Sequence, residues 1–180
     1  MAQADASTFG EKLARAAQER TKSNVRYDGR YQSIGYPGGD VPAGQGVCTD
    51  VVIRSYRTLG IDLQQLVHED MTASFSAYPG IWGLSRPDSN IDHRRVPNLN
   101  TYFTRQGANV MRHGKAVEYK TGDVLTWMLP HNLPHTGIVV ATAMDRQGVQ
   151  IVHNIGMGPQ QTYMPANWTL TGQFRFGESD

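Results

Sequence analysis

The stretch Gly46-Val47-Cys48-Thr49-Asp50-Val51-Val52-Ile53 marks the point where an irregular loop becomes a helix. Residues 36–46 before it are rich in glycine and proline, which interrupt regular structure. Beyond it, apolar residues recur at helical spacing, at Val52, Tyr56 and Leu59. Gly60 then provides a stop signal. The sequence therefore predicts a helix whose first turn contains Cys48.

The position of Cys48 favours chemistry at its thiol. It is the only cysteine among 180 residues. In the first turn of a helix, unpaired backbone N–H groups and the positive end of the dipole favour a thiolate. The same N–H groups can hold the oxyanion that forms when a thiolate attacks a carbonyl. A single cysteine can also be a small buried apolar residue, so the nucleophile hypothesis needs a base and a group that orients it.

Length, composition and charge exclude several classes of protein. A chain of 180 residues with 39% hydrophobic and 18% charged residues can form one domain with its own core. The net charge is +1 and no run of lysine or arginine occurs, which argues against a nucleic-acid partner. No apolar stretch approaches the roughly 18 residues of a membrane-spanning helix. We expect a single domain over residues 8–180, with no cofactor.

The first residues, Met1-Ala2-Gln3-Ala4-Asp5-Ala6, resemble the start of a processed protein, and Ala-Gln-Ala is similar to the remnant of a signal-peptidase site. No apolar signal core is present. Residues 1–7 are therefore expected to be a flexible N-terminus. The expected location is the periplasm or cell envelope, or outside the cell, with the cytosol as the alternative.

Three further helices are predicted from their start signals. Thr8-x-x-Glu11 has the form of a capping box and begins an amphipathic helix over residues 8–22. Asp62 can cap a second helix. Pro97 suits the first turn of a short third helix. The tyrosine-rich segment 25–36 lies between the first helix and the Cys48 helix and is expected to be extended. Its residues Tyr27 and Tyr36 are candidates to line a site.

The segment 78–96 has little regular pattern, and long irregular loops are usually functional or mobile. Near its end, Asp92 is followed directly by His93, Arg94 and Arg95. Because arginine forks match carboxylates, these side chains are candidates for binding a substrate carboxylate. The alternative is an ion-pair cluster that holds the loop in place.

The last third of the chain has the pattern of an antiparallel sheet. Strands are predicted at 124–128, 135–141 and 149–154, with a further strand near 173–176. A loop at 129–134 and a turn at 145–148 connect them, and such short connections favour antiparallel pairing. Helices first and strands later are typical of the α+β class.

Two histidines complete the hypothesis of a cysteine nucleophile. His135 begins one predicted strand and His153 ends the next, so an antiparallel hairpin brings both imidazoles to one edge of the sheet. If the Cys48 helix packs against that edge, His135 can take the thiol proton and return it to the leaving amine. His153, or Asn154 beside it, would orient His135 and select its tautomer.

A succession of short motifs resembles the NlpC-type cell-wall peptidases, which are small papain-like cysteine hydrolases. The motifs are Tyr36-x-Gly38-Gly39, Gly46-Val47-Cys48, Gly122-Asp123-Val124, His135-Thr136-Gly137-Ile138-Val139 and Ile151-Val152-His153-Asn154. Residues 25–176 more closely resemble a bacterial family catalogued as a domain of unknown function within that papain-like group. The segments that carry this second resemblance are 36–42, 46–54, 90–99, 133–139 and 153–159.

The resemblance implies a papain-like α+β fold, in which the helix of the nucleophile packs on an antiparallel sheet that carries the base. It implies hydrolysis of an amide bond in peptidoglycan peptides through a thioester. By position, Cys48 is then the nucleophile, His135 the base and His153 the third residue. A tyrosine near the Gly-Gly often touches the site in such enzymes, which points to Tyr36.

One departure from the pattern concerns Asp50, which stands where the NlpC-type motif commonly has glycine. An acid so close to Cys48 opposes thiolate formation unless it pairs with a cation. The long loop 78–96 also lies outside the common pattern and leaves the cleaved bond open. The expected substrate contacts are the side chains of Tyr36, Asp50, His93, Arg94, Arg95 and Asn154.

Two other functions fit parts of the sequence. A zinc amidase would use histidine and aspartate ligands and a water nucleophile. However, Pro134 lies between His131 and His135, which argues against two ligands on one helix face. A non-catalytic domain on the same fold would hold wall peptides without cutting them, and the Cys48/His135 pair argues against that alternative.

Overall fold

A layer of helices packs on one face of a five-stranded sheet. The computed structural model describes residues 7–142 and 148–177. The helices are α1 (Phe9–Arg20), α2 (Cys48–Thr58), α3 (Leu63–Ser74) and α4 (Val96–Arg105). The strands are β1 (Arg26–Tyr27), β2 (Gln45–Gly46), β3 (Val124–Leu129), β4 (Leu133–Thr142), β5 (Val149–Asn154), β6 (Pro159–Tyr163) and β7 (Thr169–Phe174). Short 3₁₀ turns occur at Phe75–Ala77, Asp92–Arg94 and Pro130–Asn132.

The sheet has the order β6-β5-β4-β3-β7, and every neighbouring pair is antiparallel. β1 and β2 form a separate parallel pair. Helices α1 and α2 pack on β4. The predicted α+β class and the antiparallel pairing are therefore confirmed. Within the described part of the chain, no helix combines the length and the apolar character needed to cross a bilayer.

The helix starts follow the predicted chemistry. Thr8 Oγ1 accepts a hydrogen bond from Glu11 N at 3.2 Å, and the Glu11 carboxylate accepts one from Thr8 N at 2.8 Å. This reciprocal pair satisfies two backbone donors at the start of α1. Asp62 caps α3 by accepting from Gln64 N at 3.1 Å. All four predicted helices are confirmed.

The strand boundaries differ from the predictions in three places. The predicted loop 129–134 is wrong at its end, because β4 begins at Leu133 and includes Pro134. Proline is tolerated there because β5 starts to pair with β4 only at Gly137. The last strand ends at Phe174 and begins four residues earlier than predicted. Strand β6 is missing from the prediction, since its polar residues show no apolar alternation.

Two other expectations fall on residues outside the described ranges. The flexible N-terminus over residues 1–7 includes 1–6, and the turn at 145–148 includes 145–147.

The two faces of the sheet carry separate apolar clusters. The face toward the helices contributes Val124, Ile138, Val152 and Phe174, which pack with the buried residues of α1, α2 and α4. The opposite face carries Leu125, Trp127, Val139 and Ile151, with Trp168 packed against them. His135 and His153 follow the alternation of the second face. The strands therefore present both histidines among aromatic rings.

Candidate active site

Helix α2, which carries Cys48, begins where the backbone of Val47 is extended. The Asp50 carboxylate, on the third helical residue, accepts a hydrogen bond from Val47 N at 2.7 Å. This contact is the acidic half of a capping box and it defines the start of α2. Cys48 is the first residue of the helix and is only 5% exposed. The predicted place of the thiol, at a helix N-terminus, is confirmed.

The environment of the Cys48 thiol combines opposing effects. Burial raises the pKa of Cys48 to about 11, and the negative charge of Asp50 acts in the same direction. Backbone hydrogen bonds, the first of them from Thr136 on β4, lower it in part. The helix N-terminus alone favours a thiolate, but desolvation outweighs it here. The resting protein therefore holds a neutral thiol against the strand that carries His135.

The structure brings the two imidazoles together. His135 Nε2 and His153 Nδ1 are 2.9 Å apart, and the rings meet edge to face. The register of β4 and β5 pairs Gly137 with His153. A Cβ at Gly137 would lie 2.8 Å from the carbonyl oxygen of Val152 and 3.0 Å from His153 Cβ. Glycine is therefore required at this position for His153 to sit so close to β4.

The hydrogen bonds assign a role to each ring nitrogen. The contact with His153 uses Nε2 of His135 and leaves Nδ1 for a thiol proton. Nδ1 can accept that proton only if Nε2 carries the hydrogen and donates it to His153. His153 then carries its own hydrogen on Nε2, which lies 2.9 Å from Thr162 Oγ1. The chain of contacts from His135 through His153 to Thr162 is therefore compatible with the tautomer of His135 that a general base needs.

Asn154 was the alternative to His153 as the third residue. Its Oδ1 accepts a hydrogen bond from Gly156 N at 3.1 Å. The group hydrogen-bonded to His135 is instead the ring of His153. Thr162, which contacts His153, lies on strand β6, and the sequence pattern does not predict this strand. Thr162 pairs with Ile151 in the register of β5 and β6, so its contact with His153 is a diagonal one that no local sequence pattern indicates.

Aromatic rings surround the histidine pair. The rings of Trp127 and Trp168 have their centroids 6.0 and 5.2 Å from that of His135, and Trp168 is 5.4 Å from His153. Burial lowers the pKa of His135 to about 3 and also lowers that of His153. Both imidazoles are therefore neutral near pH 7. The thiol of Cys48 and the imidazole of His135 are thus both uncharged and both buried.

Asp50 and Arg94 form a buried ion pair. Arg94 Nε and Nη2 donate to the two carboxylate oxygens at 3.0 and 2.9 Å, and both side chains are at most 3% exposed. Thr49 Oγ1 also donates to the carbonyl of Arg94 at 3.1 Å. The cation required beside Asp50 is thus present. The geometry gives this pair a structural role, and its part in substrate binding stays a prediction.

The rest of the segment 78–96 is held by similar contacts. Arg95 Nη1 donates to Asp92 Oδ1 at 3.2 Å, and its guanidinium lies 4.1 Å from the centroid of the Trp82 ring. His93 is buried, and burial lowers its pKa to about 4. These contacts match the predicted alternative of an ion-pair cluster that holds the loop. Substrate contacts of His93 and Arg95 remain predictions.

One of the two tyrosine candidates, Tyr27, lies near Cys48. Burial raises its pKa to about 12, and the charge of Cys48 is the next contribution. Tyr27 pairs with Gly46 across β1 and β2, which places it beside the turn that enters α2. Tyr36 instead contacts the ring of His68 on α3 at 4.9 Å. The contact of Tyr36 with a substrate stays a prediction.

The alternative of a zinc amidase requires a cluster of metal ligands. Within residues 7–142 and 148–177, no three histidine, cysteine, aspartate or glutamate side chains converge. His131 is exposed in the turn before β4, whereas His135 is buried in the strand.

Comparison with solved structures gives two similar folds from Trichomonas vaginalis. NlpC1 aligns with a TM-score of 0.49 and 13% identity over 97% of this chain. NlpC2 aligns with a TM-score of 0.47 and 14% identity over 97% of this chain. The chain spans about half the length of each, 46% and 48% respectively.

Comparison by sequence gives a relative that is much more similar. "Uncharacterized protein YijF" of Escherichia coli (strain K12) is 46% identical over 165 residues, which cover 91% of this chain and 80% of the relative. The family model described as "Domain of unknown function (DUF1287)" matches residues 14–176. The resemblance to a domain-of-unknown-function family is confirmed, and the chain belongs to the DUF1287 family.

Proposed function

We propose that this protein is a cysteine hydrolase that cleaves an amide bond in peptidoglycan peptides through a thioester on Cys48. The proposal is carried by the hydrogen-bonded pair of His135 and His153, together with a cysteine at a helix N-terminus whose sulfur is hydrogen-bonded by the backbone of Thr136, the residue after His135. A nucleophile, a base and an orienting group are what acyl transfer requires. The peptidoglycan substrate rests on the resemblance of the motifs to NlpC-type cell-wall peptidases.

The geometry supports a general-base route for the first step. As the sulfur of Cys48 attacks the carbonyl carbon, its proton passes to Nδ1 of His135. Backbone N–H groups at the start of α2 are available to the oxyanion. His135 then gives the proton to the departing amine, and the thioester remains. His153 and Thr162 keep His135 in the tautomer that this transfer needs.

The second step regenerates the thiol. Water loses a proton to His135 and adds to the thioester carbonyl, which releases the peptide carboxylate. The proton then returns to the sulfur of Cys48. The partly buried ring of Trp168 packs against His135 and reduces the access of solvent to this base. By its substrate, the protein is proposed to act in the periplasm or cell envelope, or outside the cell.

The test of this function is digestion of purified peptidoglycan and its released muropeptides, analysed by mass spectrometry. Wild type and Cys48→Ala are compared side by side. We expect new products from wild type alone, and their masses identify the cleaved bond. Equal products from both proteins would contradict a cysteine nucleophile and favour a metal site. No products from either, with Cys48 inert to iodoacetamide, would favour a binding domain.

The pH dependence of turnover should reflect the neutral pair. His135 acts as a base only when unprotonated, and its pKa lies at about 3 rather than near 6.5. The acid limb of kcat/KM is therefore expected well below pH 6.5, and the profile should stay flat up to the loss of the thiol proton. Steady-state rates at constant ionic strength test this, and kcat/KM is expected to stay constant from pH 4 to 9.

Folding needs its own control in that experiment. Below pH 6.5 the unfolded chain binds protons that buried His135 and His93 do not, so stability falls as the pH falls toward their folded pKa values. Circular dichroism at each pH separates unfolding from titration of the site. An inflection near pH 6.5 in a folded protein would show a solvated imidazole instead.

A further inference from the structure

A cavity of about 340 Å³ lies along the side of α2, next to the turn that carries the nucleophile. Val47, Asp50 and Arg54 line it from α2 and its cap, and Arg20 lines it from the end of α1. Asn154, at the end of β5, also lines it. Neither Cys48 nor His135 does. The cavity is separate from the reacting groups, and its volume is at the lower end for ligand sites.

The charges around this cavity do not balance. Asp50 is bound by Arg94, and Asp40 is bound by Arg54 at 2.9 Å. Arg57 also contacts Asp40, at 3.5 Å, and bonds with Asp62. Arg20 makes no ion pair within residues 7–142 and 148–177. A concave surface with one uncompensated guanidinium attracts an anion.

Unpartnered donors supply an independent observation. In the described part of the chain, six buried side-chain polar atoms lack a hydrogen-bond partner. Three of them belong to residues that line this cavity: Arg20 Nε, Arg57 Nε and Asn154 Nδ2. All three are N–H donors. Buried polar groups are almost always paired, so a cluster of orphaned donors indicates a missing acceptor.

Asn154 is the most telling of the three residues. It is 1% exposed, and its Oδ1 already accepts from Gly156 N. The amide orientation is therefore defined, and the free end is the NH₂ group. Asn154 follows His153 directly, as Val47 precedes Cys48. Two residues that line the cavity, Asn154 and Val47, are therefore direct neighbours in sequence of His153 and Cys48.

We infer that this cavity binds a carboxylate group of the peptide substrate, with Arg20 and Asn154 as its donors. A carboxylate supplies the acceptors and the negative charge that these groups lack. The identity of the peptide rests on the proposed function. A peptide anchored beside α2 loses much of its freedom before the attack, which helps to place its amide bond at Cys48.

Binding is tested without turnover, in the Cys48→Ala background. Isothermal titration calorimetry compares a peptidoglycan stem tetrapeptide as the free acid with the same peptide whose carboxylates are amidated. We expect the free acid to bind at least about tenfold more tightly, as is typical of a charge-assisted pair. Equal affinities would overturn the inference.

Two variants that remove one positive charge each test whether the carboxylate binds at Arg20. Arg20→Gln is expected to weaken binding of the free acid by about tenfold or more, and Arg20→Lys to restore part of it. Lys22→Gln removes the same charge just beyond the same helix, where Lys22 pairs with Glu19 outside the cavity. Lys22→Gln should leave binding unchanged. Equal losses in both variants would show only a bulk charge effect and overturn the inference.

Measurements of kcat and KM test the carboxylate site and the proposed function independently. In the enzyme with Cys48 present, Arg20→Gln should raise KM and leave kcat unchanged. If peptidoglycan is cleaved and Arg20→Gln changes neither KM nor affinity, the cavity inference fails and the function stands. If the free acid binds in an Arg20-dependent way and nothing is cleaved, the function fails and the carboxylate site stands.

Discussion

Turnover is expected to fall by about 10⁴-fold or more in Cys48→Ala and equally in His135→Ala. The double variant should lose no more than either single variant, because a nucleophile and its base act as one unit. The neutral state of the pair makes this dependence strong. With its pKa raised to about 11, the Cys48 thiol supplies almost no thiolate at pH 7 without His135. Measured kcat/KM values on one muropeptide give all three losses.

His131→Ala is the control for a histidine loss near this site. His131 is exposed in the turn before β4, and its replacement should leave kcat/KM near the wild-type value. Circular dichroism must show folded protein in every variant. If the losses of the two single variants multiply in the double variant, Cys48 and His135 act independently. The proton transfer proposed between them would then be wrong.

Arg94→Gln is expected to lower the free energy of unfolding by about 3–5 kcal/mol. The reason is that Asp50 would keep its charge in the interior with its bidentate partner removed. A loss of this size is a large part of the total stability of a typical domain. Chemical denaturation with urea, followed by circular dichroism, measures it.

Two further variants test the cause of that loss of stability. Lys22→Gln breaks an exposed ion pair and should change stability little. Asp50→Leu combined with Arg94→Met removes both charges, and apolar replacement of a buried pair is often neutral. The double variant should therefore recover most of the stability, even if Arg94→Gln alone does not fold. A small effect of Arg94→Gln, or a double variant as unstable as Arg94→Gln, would contradict a buried, charged pair.

Local signals were sufficient for the parts of the site that lie within one element or one hairpin. The helix start at Cys48 follows from breakers on one side and apolar periodicity on the other. The meeting of His135 and His153 follows from the register of β4 and β5, which short-range pairing determines. The family resemblance agrees with both features.

Contacts between distant segments were not accessible in this way. Arg94 reaches Asp50 across 44 residues of sequence, and nothing in the motif distinguishes Arg94 from Arg95 as its partner. Tyr27 is brought near Cys48 by a two-residue parallel pair of strands, which is too short to show any periodicity in the sequence. The pKa of Cys48 depends on burial by the whole fold. The residue type and its position on a helix are therefore not sufficient to predict this pKa.

The aromatic rings around His135 have a spectroscopic consequence. Excited indole transfers an electron to a protonated imidazole more readily than to a neutral one, so the emission of Trp127 and Trp168 should report the charge of the histidines they contact. The chain contains only one other tryptophan, Trp82 beside Arg95. In Trp82→Phe, the fluorescence intensity is therefore expected to fall when His135 or His153 gains a proton, with no label attached.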